Sequence, residues 1–172
     1  MIHPPRPISF VVVHTCGAYD PKEKRVVHQT METVRKYHMT PVSQGGKGWN
    51  DIGYHRYIER DGKIRPGRND VVPGAHVEGF NAHTLGVCCS GDADYEPFNA
   101  QQMGSLIEQC VSWCRQYDLD AGRVIGHRET DDFGGPKVWK TCPGELTDMD
   151  LIRSLVARDL GASKVGQGMP SV

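Results

Sequence analysis

The chain has 172 residues, 38% of them hydrophobic and 24% charged, and its net charge is -1. This length allows one domain to bury a core without disulfide or metal support. The net charge lacks the basic excess that nucleic-acid binding requires, so no nucleic-acid partner is expected. The N-terminal sequence MIHPPRPISFVVVH lacks the features of a signal peptide, and the run Phe10 to Val13 is too short for a transmembrane segment. We therefore expect synthesis in the cytoplasm and another exit route for any work outside the membrane.

Hydrophobic patterning predicts strands and helices that alternate along the chain. Strands are indicated by short apolar runs rich in β-branched residues, and helices by apolar residues three and four positions apart. The pair Asp61-Gly62 is a strong signal for a two-residue hairpin turn. Strands are predicted at residues 8–14, 54–60, 63–65, 85–90 and 124–125.

Three helices are predicted between and after these strands. The first covers residues 26–38, where apolar side chains recur at helical spacing. The other two begin with pairs typical of a capping box, in which an N-cap side chain and the residue three positions later satisfy free backbone N–H groups. These pairs are Asn99 with Gln102 and Thr147 with Asp150.

Strands that alternate with helices indicate an α/β fold, with a central sheet covered by helices on both faces. A single domain is predicted over residues 1–160, followed by a flexible C-terminal tail at 161–172, and residues 66–83 are predicted to be irregular. Functional side chains are expected on loops beyond the strand ends. His14 closes the first strand and His127 follows the last one, so both occupy such positions.

The six cysteines are at positions 16, 88, 89, 110, 114 and 142. A chain of this size without a signal peptide is expected to keep them reduced. The four at 88, 89, 110 and 114 lie in apolar patterns and are predicted to pack as small hydrophobic side chains. Cys16 either packs or lines a site, whereas Cys142 stands apart from these patterns.

A catalytic zinc site uses three protein ligands, usually imidazole or thiolate, and leaves a fourth position for water. Two histidines and one cysteine would satisfy this requirement. The chain has eight histidines and contains no HExxH motif, so spacing alone does not choose a ligand set. Hydrogen-bonded histidines at strand ends and a buried thiol remain the alternative interpretation.

Five local motifs occur in order along the chain, and together they are far more specific than any one alone. They read VVVHTCGA, GWNDIGYHRYIERDGKIRPGR, GAHVEGFNAHTLGVCCSGD, GHRET and KTCPG. In this order they resemble the type 2 N-acetylmuramoyl-L-alanine amidases, the family shared by the T7-type phage lysozymes and the peptidoglycan recognition proteins. The resemblance covers about residues 8–146.

The resemblance implies a central mixed β-sheet flanked by helices, with Zn²⁺ in a surface groove. It implies hydrolysis of the amide bond between the lactyl group of N-acetylmuramic acid and L-alanine in peptidoglycan. It assigns the metal ligands to His14 at the end of the first strand, His127 in GHRET and Cys142 in KTCPG. Recognition proteins that only bind the wall lack the cysteine, so its presence favours an enzyme.

The resemblance also assigns residues around the metal. Tyr54 and Lys140 match catalytic positions, where a phenol and a cation could stabilise the oxyanion. His76 and Asn81 match the segment that lines the groove and are candidates for substrate binding. Apart from the resemblance, an ordinary strand tyrosine, a solvated loop lysine and two structural loop residues remain the alternative interpretation.

The sequence also suggests roles for two further residues and one loop. By the two-residue period of a strand, His55 should point away from the Tyr54 face and pack in the core. Glu129, two residues after His127, could orient a ligand. The segment 40–47 lengthens the loop before Trp49 and could shape the rim of the groove.

Two other functions compete with the amidase. One is a recognition protein that binds peptidoglycan without cutting it. The other is a thiol protein in which Lys140 lowers the pKa of a reactive Cys142. For the amidase, a compact monomeric domain without an export signal suits a phage endolysin released through a holin. A cytoplasmic recycling enzyme and a secreted effector are the other settings.

Overall fold

The computed structural model describes residues 6–165 of the chain. Ten strands and α-helices follow one another in this part of the sequence, together with four 3-10 helices at Val42–Gln44, Asn81–His83, Ala121–Arg123 and His127–Phe133. The strands and α-helices are β1 (Phe10–Thr15), β2 (Tyr19–Asp20), β3 (Arg25–Val26), α1 (Met31–Met39), β4 (Arg56–Ile58), β5 (Ile64–Pro66), β6 (Thr84–Cys89), α2 (Ala100–Tyr117), β7 (Val124–Gly126) and α3 (Met149–Val165).

Five of the strands form a mixed sheet in the order β5-β4-β6-β1-β7. Strand β1 lies in the centre and pairs in parallel with β6 and β7, while β4 pairs in parallel with β6. Strand β5 pairs antiparallel with β4, so the predicted hairpin is present. Its turn has three residues instead of the predicted two: the N–H of Glu59 donates to the carbonyl of Lys63, and Gly62 adopts the left-handed conformation. The predicted α/β class and mixed sheet flanked by helices are therefore confirmed.

The side chains of β1 alternate between two cores, as the two-residue period of a strand requires. Val11 and Val13 pack in the large core with α2 and α3. Phe10 and Val12 point to the opposite face and pack in a smaller core. His14 has the same parity as Phe10 and Val12, so its imidazole lies on the face away from α2 and α3. On this face α1 covers a third core, built around Tyr57 and Cys88 of neighbouring strands with Met31 and Val34 of the helix.

The first and last helices begin later than the sequence predicts. Residues 25–26 pair with β2 instead of starting a helix, and α1 begins after Thr30, whose hydroxyl accepts the N–H of Thr33. The pair Thr147 and Asp150 forms no capping box. The Thr147 hydroxyl donates to the carbonyl of Pro143, and the side chain of Asp148 accepts the N–H of Leu151 in its place. Thr147 and Asp148 are adjacent and either type of side chain can cap a helix, so local sequence did not show which of them would do so.

The remaining elements follow the prediction closely. Asn99 and Gln102 form the predicted capping box at the start of α2. The predicted strand at 54–60 is shortened to 56–58. Helix α3 continues through Val165, so residues 161–165 are helical where the tail is predicted to begin; residues 166–172 lie outside the described part. No helix within residues 6–165 is both long and apolar enough to span a membrane.

Candidate metal centre

The sheet brings two predicted metal ligands together at adjacent strand ends. His14 is on β1, and His127 comes directly after β7. Because these strands are parallel neighbours with Val13 opposite Gly126, the two histidines leave the sheet side by side. Their ring centres are 4.7 Å apart. This is the carboxyl edge of the parallel strands, where α/β folds commonly place ligand sites.

Cys142 approaches this pair from the loop that precedes α3. Its Sγ lies 3.6 Å from Nδ1 of His14. One ligand atom from each of His14, His127 and Cys142 falls within 4.8 Å of the others. All three predicted ligands therefore converge, although His14 and Cys142 are separated by 128 positions in sequence.

Arg128 holds the loop that carries Cys142. Its guanidinium donates to the carbonyls of Thr141, Gly144 and Thr147, at 3.0, 2.7 and 2.7 Å. Its backbone N–H donates to the carbonyl of Cys142 at 2.7 Å. One residue thus fixes the backbone around Cys142 relative to the adjacent His127. No local sequence pattern indicates this role, because the partners of Arg128 lie 13 to 19 positions further on.

Asp94 fixes the same loop from the other side. Its carboxylate accepts the Thr141 hydroxyl at 2.6 Å and the N–H of Glu145 at 2.8 Å. These contacts bracket Cys142 in sequence. Asp94 also was not found from sequence, since a lone aspartate in a loop shows no pattern that separates it from a solvated one.

Glu129 ties the other ligand segment to the last helix. Its carboxylate accepts the N–H of Gly126 at 2.7 Å and forms an ion pair with Arg153 of α3 at 2.9 Å. The backbone next to His127 is thereby anchored, in place of the direct ligand contact that the sequence suggested. Gly126 allows a close approach at this point, because a Cβ there would lie only 2.9 Å from Cδ of Pro143.

His76 is the immediate partner of His14. Nε2 of His14 lies 3.0 Å from Nδ1 of His76, and Nε2 of His76 lies 3.4 Å from the hydroxyl of Thr84. That hydroxyl donates to the carbonyl of Phe80 at 2.9 Å. Since a carbonyl only accepts, the donors run in one direction from His14 to Phe80. This order places the proton of His14 on Nε2 and leaves Nδ1, which faces Cys142, free to bind a metal.

Asn81, the second predicted substrate residue, supports His76 from behind. Its side-chain oxygen accepts the N–H groups of His76 and Val77 at 2.9 and 3.0 Å. The groove around the metal ligands is lined by His76 but not by Asn81. The structure therefore gives Asn81 a structural contact in the loop.

His55 is buried in the core, as predicted. Its Nδ1 accepts the N–H of Gly86 at 3.0 Å, while Nε2 lies 3.0 Å from the carbonyl of Val72 and from the guanidinium of Arg6. Burial lowers the pKa of His55 to about 4. It is thus neutral at physiological pH and serves as a hydrogen-bonded core histidine.

The protonation of the three ligands suits a cation. Burial, followed by the neighbouring imidazole of His127, lowers the pKa of His14 well below its ordinary value. Burial and the Lys140 cation lower the pKa of His127 to about 4. Burial raises the pKa of the Cys142 thiol to about 11, although Lys140 opposes this shift. The two neutral imidazoles can each offer a nitrogen lone pair to a metal, and the thiol would release its proton on binding a metal.

The ligands open into a groove of about 600 Å³, here called the metal groove. Tyr54 and Lys140, the two residues that the family motifs assign to catalysis, both line it. The ring centre of Tyr54 lies 5.2 Å from that of His14. Burial, then the nearby thiols of Cys88 and Cys142, raises the pKa of Tyr54 well above its ordinary value, so the phenol keeps its proton.

Several residues of the metal groove were not identified as site residues from sequence. They are Lys47, Trp49, Asp92, Asp94, Trp139 and Thr141. Lys47 comes from the lengthened loop, so this loop does contribute to the wall as expected. A larger groove of about 860 Å³ lies between α2 and α3. We assign the chemistry to the smaller groove, because it is the one that contains the converging ligands.

The donor set fits zinc. Two imidazole nitrogens and one thiolate are borderline and soft donors, which zinc prefers over the oxygen ligands of magnesium or calcium. Three protein ligands that open into a groove leave a fourth position accessible, the arrangement typical of catalytic zinc. His76 supplies the outer hydrogen bond that metal-bound histidines usually make.

Comparison with known proteins identifies the family of this chain. Residues 4–145 match the family described as N-acetylmuramoyl-L-alanine amidase. An endolysin of Enterobacteria phage T3 is 31% identical over 144 residues, covering 79% of this chain and 89% of the relative. The peptidoglycan-recognition protein SC1a of Drosophila melanogaster is 24% identical over 141 residues, covering 80% and 73%.

A solved structure gives the same relationship at the level of the fold. The N-acetylmuramoyl-L-alanine amidase LysC from Clostridium intestinale superposes with a TM-score of 0.68 at 25% identity. The match covers 87% of this chain and 84% of LysC. The match over 4–145 spans all three predicted metal ligands. This chain is therefore a member of the N-acetylmuramoyl-L-alanine amidase family, whose branches include phage endolysins and peptidoglycan recognition proteins.

Proposed function

We propose that this protein is a zinc-dependent amidase that hydrolyses the bond between the lactyl group of N-acetylmuramic acid and L-alanine in peptidoglycan. The observation that carries the proposal is the convergence of His14, His127 and Cys142 within 4.8 Å at the base of the metal groove. Zinc bound there would polarise the lactyl carbonyl and lower the pKa of a bound water to roughly 7.

The chain's own residues divide the remaining work among them. His76 holds His14 in the form that presents Nδ1 to the metal. Lys140 lies on the groove wall, where its cation stabilises negative charge that develops on the carbonyl oxygen. The protonated phenol of Tyr54 donates a hydrogen bond to the same region. His76 also borders the space that the substrate occupies.

The proposal is tested by amine release from purified peptidoglycan. We expect the zinc-loaded protein to hydrolyse the amide and so expose the free amino group of L-alanine. Chelation of the metal should stop this reaction, and added zinc should restore it. Mass spectrometry of the products should show intact glycan strands and free stem peptides. Release that continues unchanged after verified removal of the metal would contradict zinc dependence.

Replacing Lys140 by alanine should lower kcat roughly 10- to 100-fold, because a charge that stabilises the oxyanion is lost. This loss in kcat is smaller than is usual for an oxyanion donor, because Lys140 is exposed and solvent screens its charge. Lys140→Arg should retain most of the activity. Steady-state kinetics on a soluble muramyl peptide measures the change, and Lys63→Ala, at an exposed hairpin lysine, is the matched control. A kcat for Lys140→Ala within about twofold of the parent would remove Lys140 from the mechanism.

The second candidate is a recognition protein that binds the wall without cutting it. The similarity to the Drosophila recognition protein favours it, since the same fold serves both branches. The ligand set with Cys142 favours the enzyme, and the amine-release assay separates the two. We further propose that the protein acts as a monomeric phage endolysin on the cell wall after release from the cytoplasm, in keeping with its similarity to the phage T3 endolysin.

A further inference from the structure

Trp139 is exposed to a degree that is unusual for its residue type. Its side chain is 87% exposed, more than any other large hydrophobic residue in the described part of the chain. Exposing an indole ring to water is unfavourable, and a polar residue at this position of the loop would not disturb the core. Tryptophan is enriched at binding interfaces, where its large ring packs on a partner while its N–H can remain hydrated.

The position of Trp139 ties this exposure to the metal groove. It lines the groove, and it precedes the metal ligand Cys142 by three residues. The ammonium group of Lys137 lies 4.5 Å from the centre of the indole ring and occupies part of one face. With 87% of the side chain exposed, the remaining ring surface is open to an incoming ligand.

The chemistry of the proposed substrate indicates which of its groups would pack on the indole ring of Trp139. The scissile amide joins the lactyl group to L-alanine, and the lactyl group is attached directly to a pyranose ring. A ligand on the groove wall close to Cys142 is therefore either that sugar or the first residues of the stem peptide. One face of a pyranose presents C–H groups and carries no charge, which suits packing on an aromatic ring. A stem peptide carries carboxylates, which would pair with the ammonium groups of Lys137 and Lys140 rather than with the indole ring.

We propose that Trp139 is a substrate-binding residue that stacks on the pyranose ring of the glycan strand next to the scissile amide. The inference rests on the proposed amidase function and adds a sugar subsite to it. Trp139 would hold the glycan at one end of the groove, so that the lactyl carbonyl lies over the metal ligands. Its contribution is to substrate binding, and it takes no part in proton transfer.

The test compares two substrates that differ only in the sugar. One is a disaccharide peptide with the N-acetylmuramoyl-L-alanine bond, and the other is the same peptide acylated by D-lactic acid alone. For Trp139→Ala, kcat/KM should fall roughly tenfold on the sugar-containing substrate and change by less than about twofold on the sugar-free one. Trp139→Phe, which keeps an aromatic face, should recover most of the loss.

The matched control is Tyr95→Ala, which removes another exposed aromatic side chain. Tyr95 is 61% exposed, stacks on Tyr19 and does not line the metal groove. It should leave both substrates unaffected. Equal losses of Trp139→Ala on both substrates, or no loss on either, would overturn the sugar subsite. If the parent protein cuts neither substrate, the proposed function fails instead.

A binding measurement tests the subsite independently of turnover. The chain has three tryptophans, and the indole N–H signal absent from Trp139→Phe identifies Trp139 in the NMR spectrum. This signal should shift on titration with the peptide-free disaccharide of N-acetylglucosamine and N-acetylmuramic acid. The free stem peptide should not shift the indole N–H signal of Trp139. A shift with the peptide and none with the disaccharide would assign Trp139 to the peptide side.

Discussion

Replacing Cys142 by serine should remove most of the bound zinc and reduce amide hydrolysis by more than about 100-fold. Loss of an outer-shell partner already costs roughly 10–100-fold in metal affinity or activity, and Cys142 is proposed as a direct ligand. Serine has nearly the same size, but its hydroxyl is far less acidic and is a poor zinc ligand. The fold should survive, because Arg128 and Asp94 hold the loop through backbone groups and the Thr141 hydroxyl.

Metal content by elemental analysis and amine release would be measured on the same preparation. Cys114→Ala is the control, since this thiol is buried in α2 outside the metal groove and alanine leaves no unpartnered polar group there. The control should keep its zinc and activity. Cys142→Ser with normal zinc content and rate would refute the ligand assignment.

Cys142→Ser by itself does not exclude a nucleophilic thiol, because both roles would be lost. The environment of the thiol argues against that role: burial raises the pKa of Cys142 to about 11, whereas reactive cysteines have a lowered pKa. Chelation separates the two mechanisms. A thiol enzyme would keep its activity without metal, and a zinc amidase would lose it.

Replacing His76 by alanine should weaken zinc binding roughly 10–100-fold while the protein stays folded. The change removes the acceptor that holds the proton of His14 on Nε2, so that Nδ1 is no longer kept free for the metal. His76→Asn should recover part of the affinity, because its side-chain oxygen can take the place of Nδ1. Competition with a chromophoric chelator measures zinc affinity directly, without relying on turnover.

A second substitution perturbs the same contact from the sheet. At Gly86 an added Cβ would lie 2.7 Å from Cγ of His76, so Gly86→Ala must displace that ring. It should also weaken zinc binding. His28→Ala is a control, because His28 pairs with Glu96 outside the metal groove. If both His76→Ala and Gly86→Ala bind zinc as tightly as the parent, His76 has no positioning role.

Local sequence determined the elements that frame the site. The apolar run ending at His14, the hairpin at Asp61-Gly62 and the cap at Asn99 depend on residues only a few positions apart. Such patterns are physical consequences of helical and strand periods and of free backbone N–H groups. The order of five motifs then indicated the family, and with it three candidate metal ligands.

Eight histidines left the metal site open until the fold selected two of them. The pairing of β1 with β7 and the clamp of Arg128 are tertiary contacts, so no local pattern predicts them. The contact between His76 and His14 has the same origin: the two residues are 62 positions apart, and the loop before β6 places Nδ1 of His76 3.0 Å from Nε2 of His14. Sequence thus determined which ligand types were present and where the strands end. The sheet topology decided which of them meet, because metal binding depends on distances between atoms rather than on spacing along the chain.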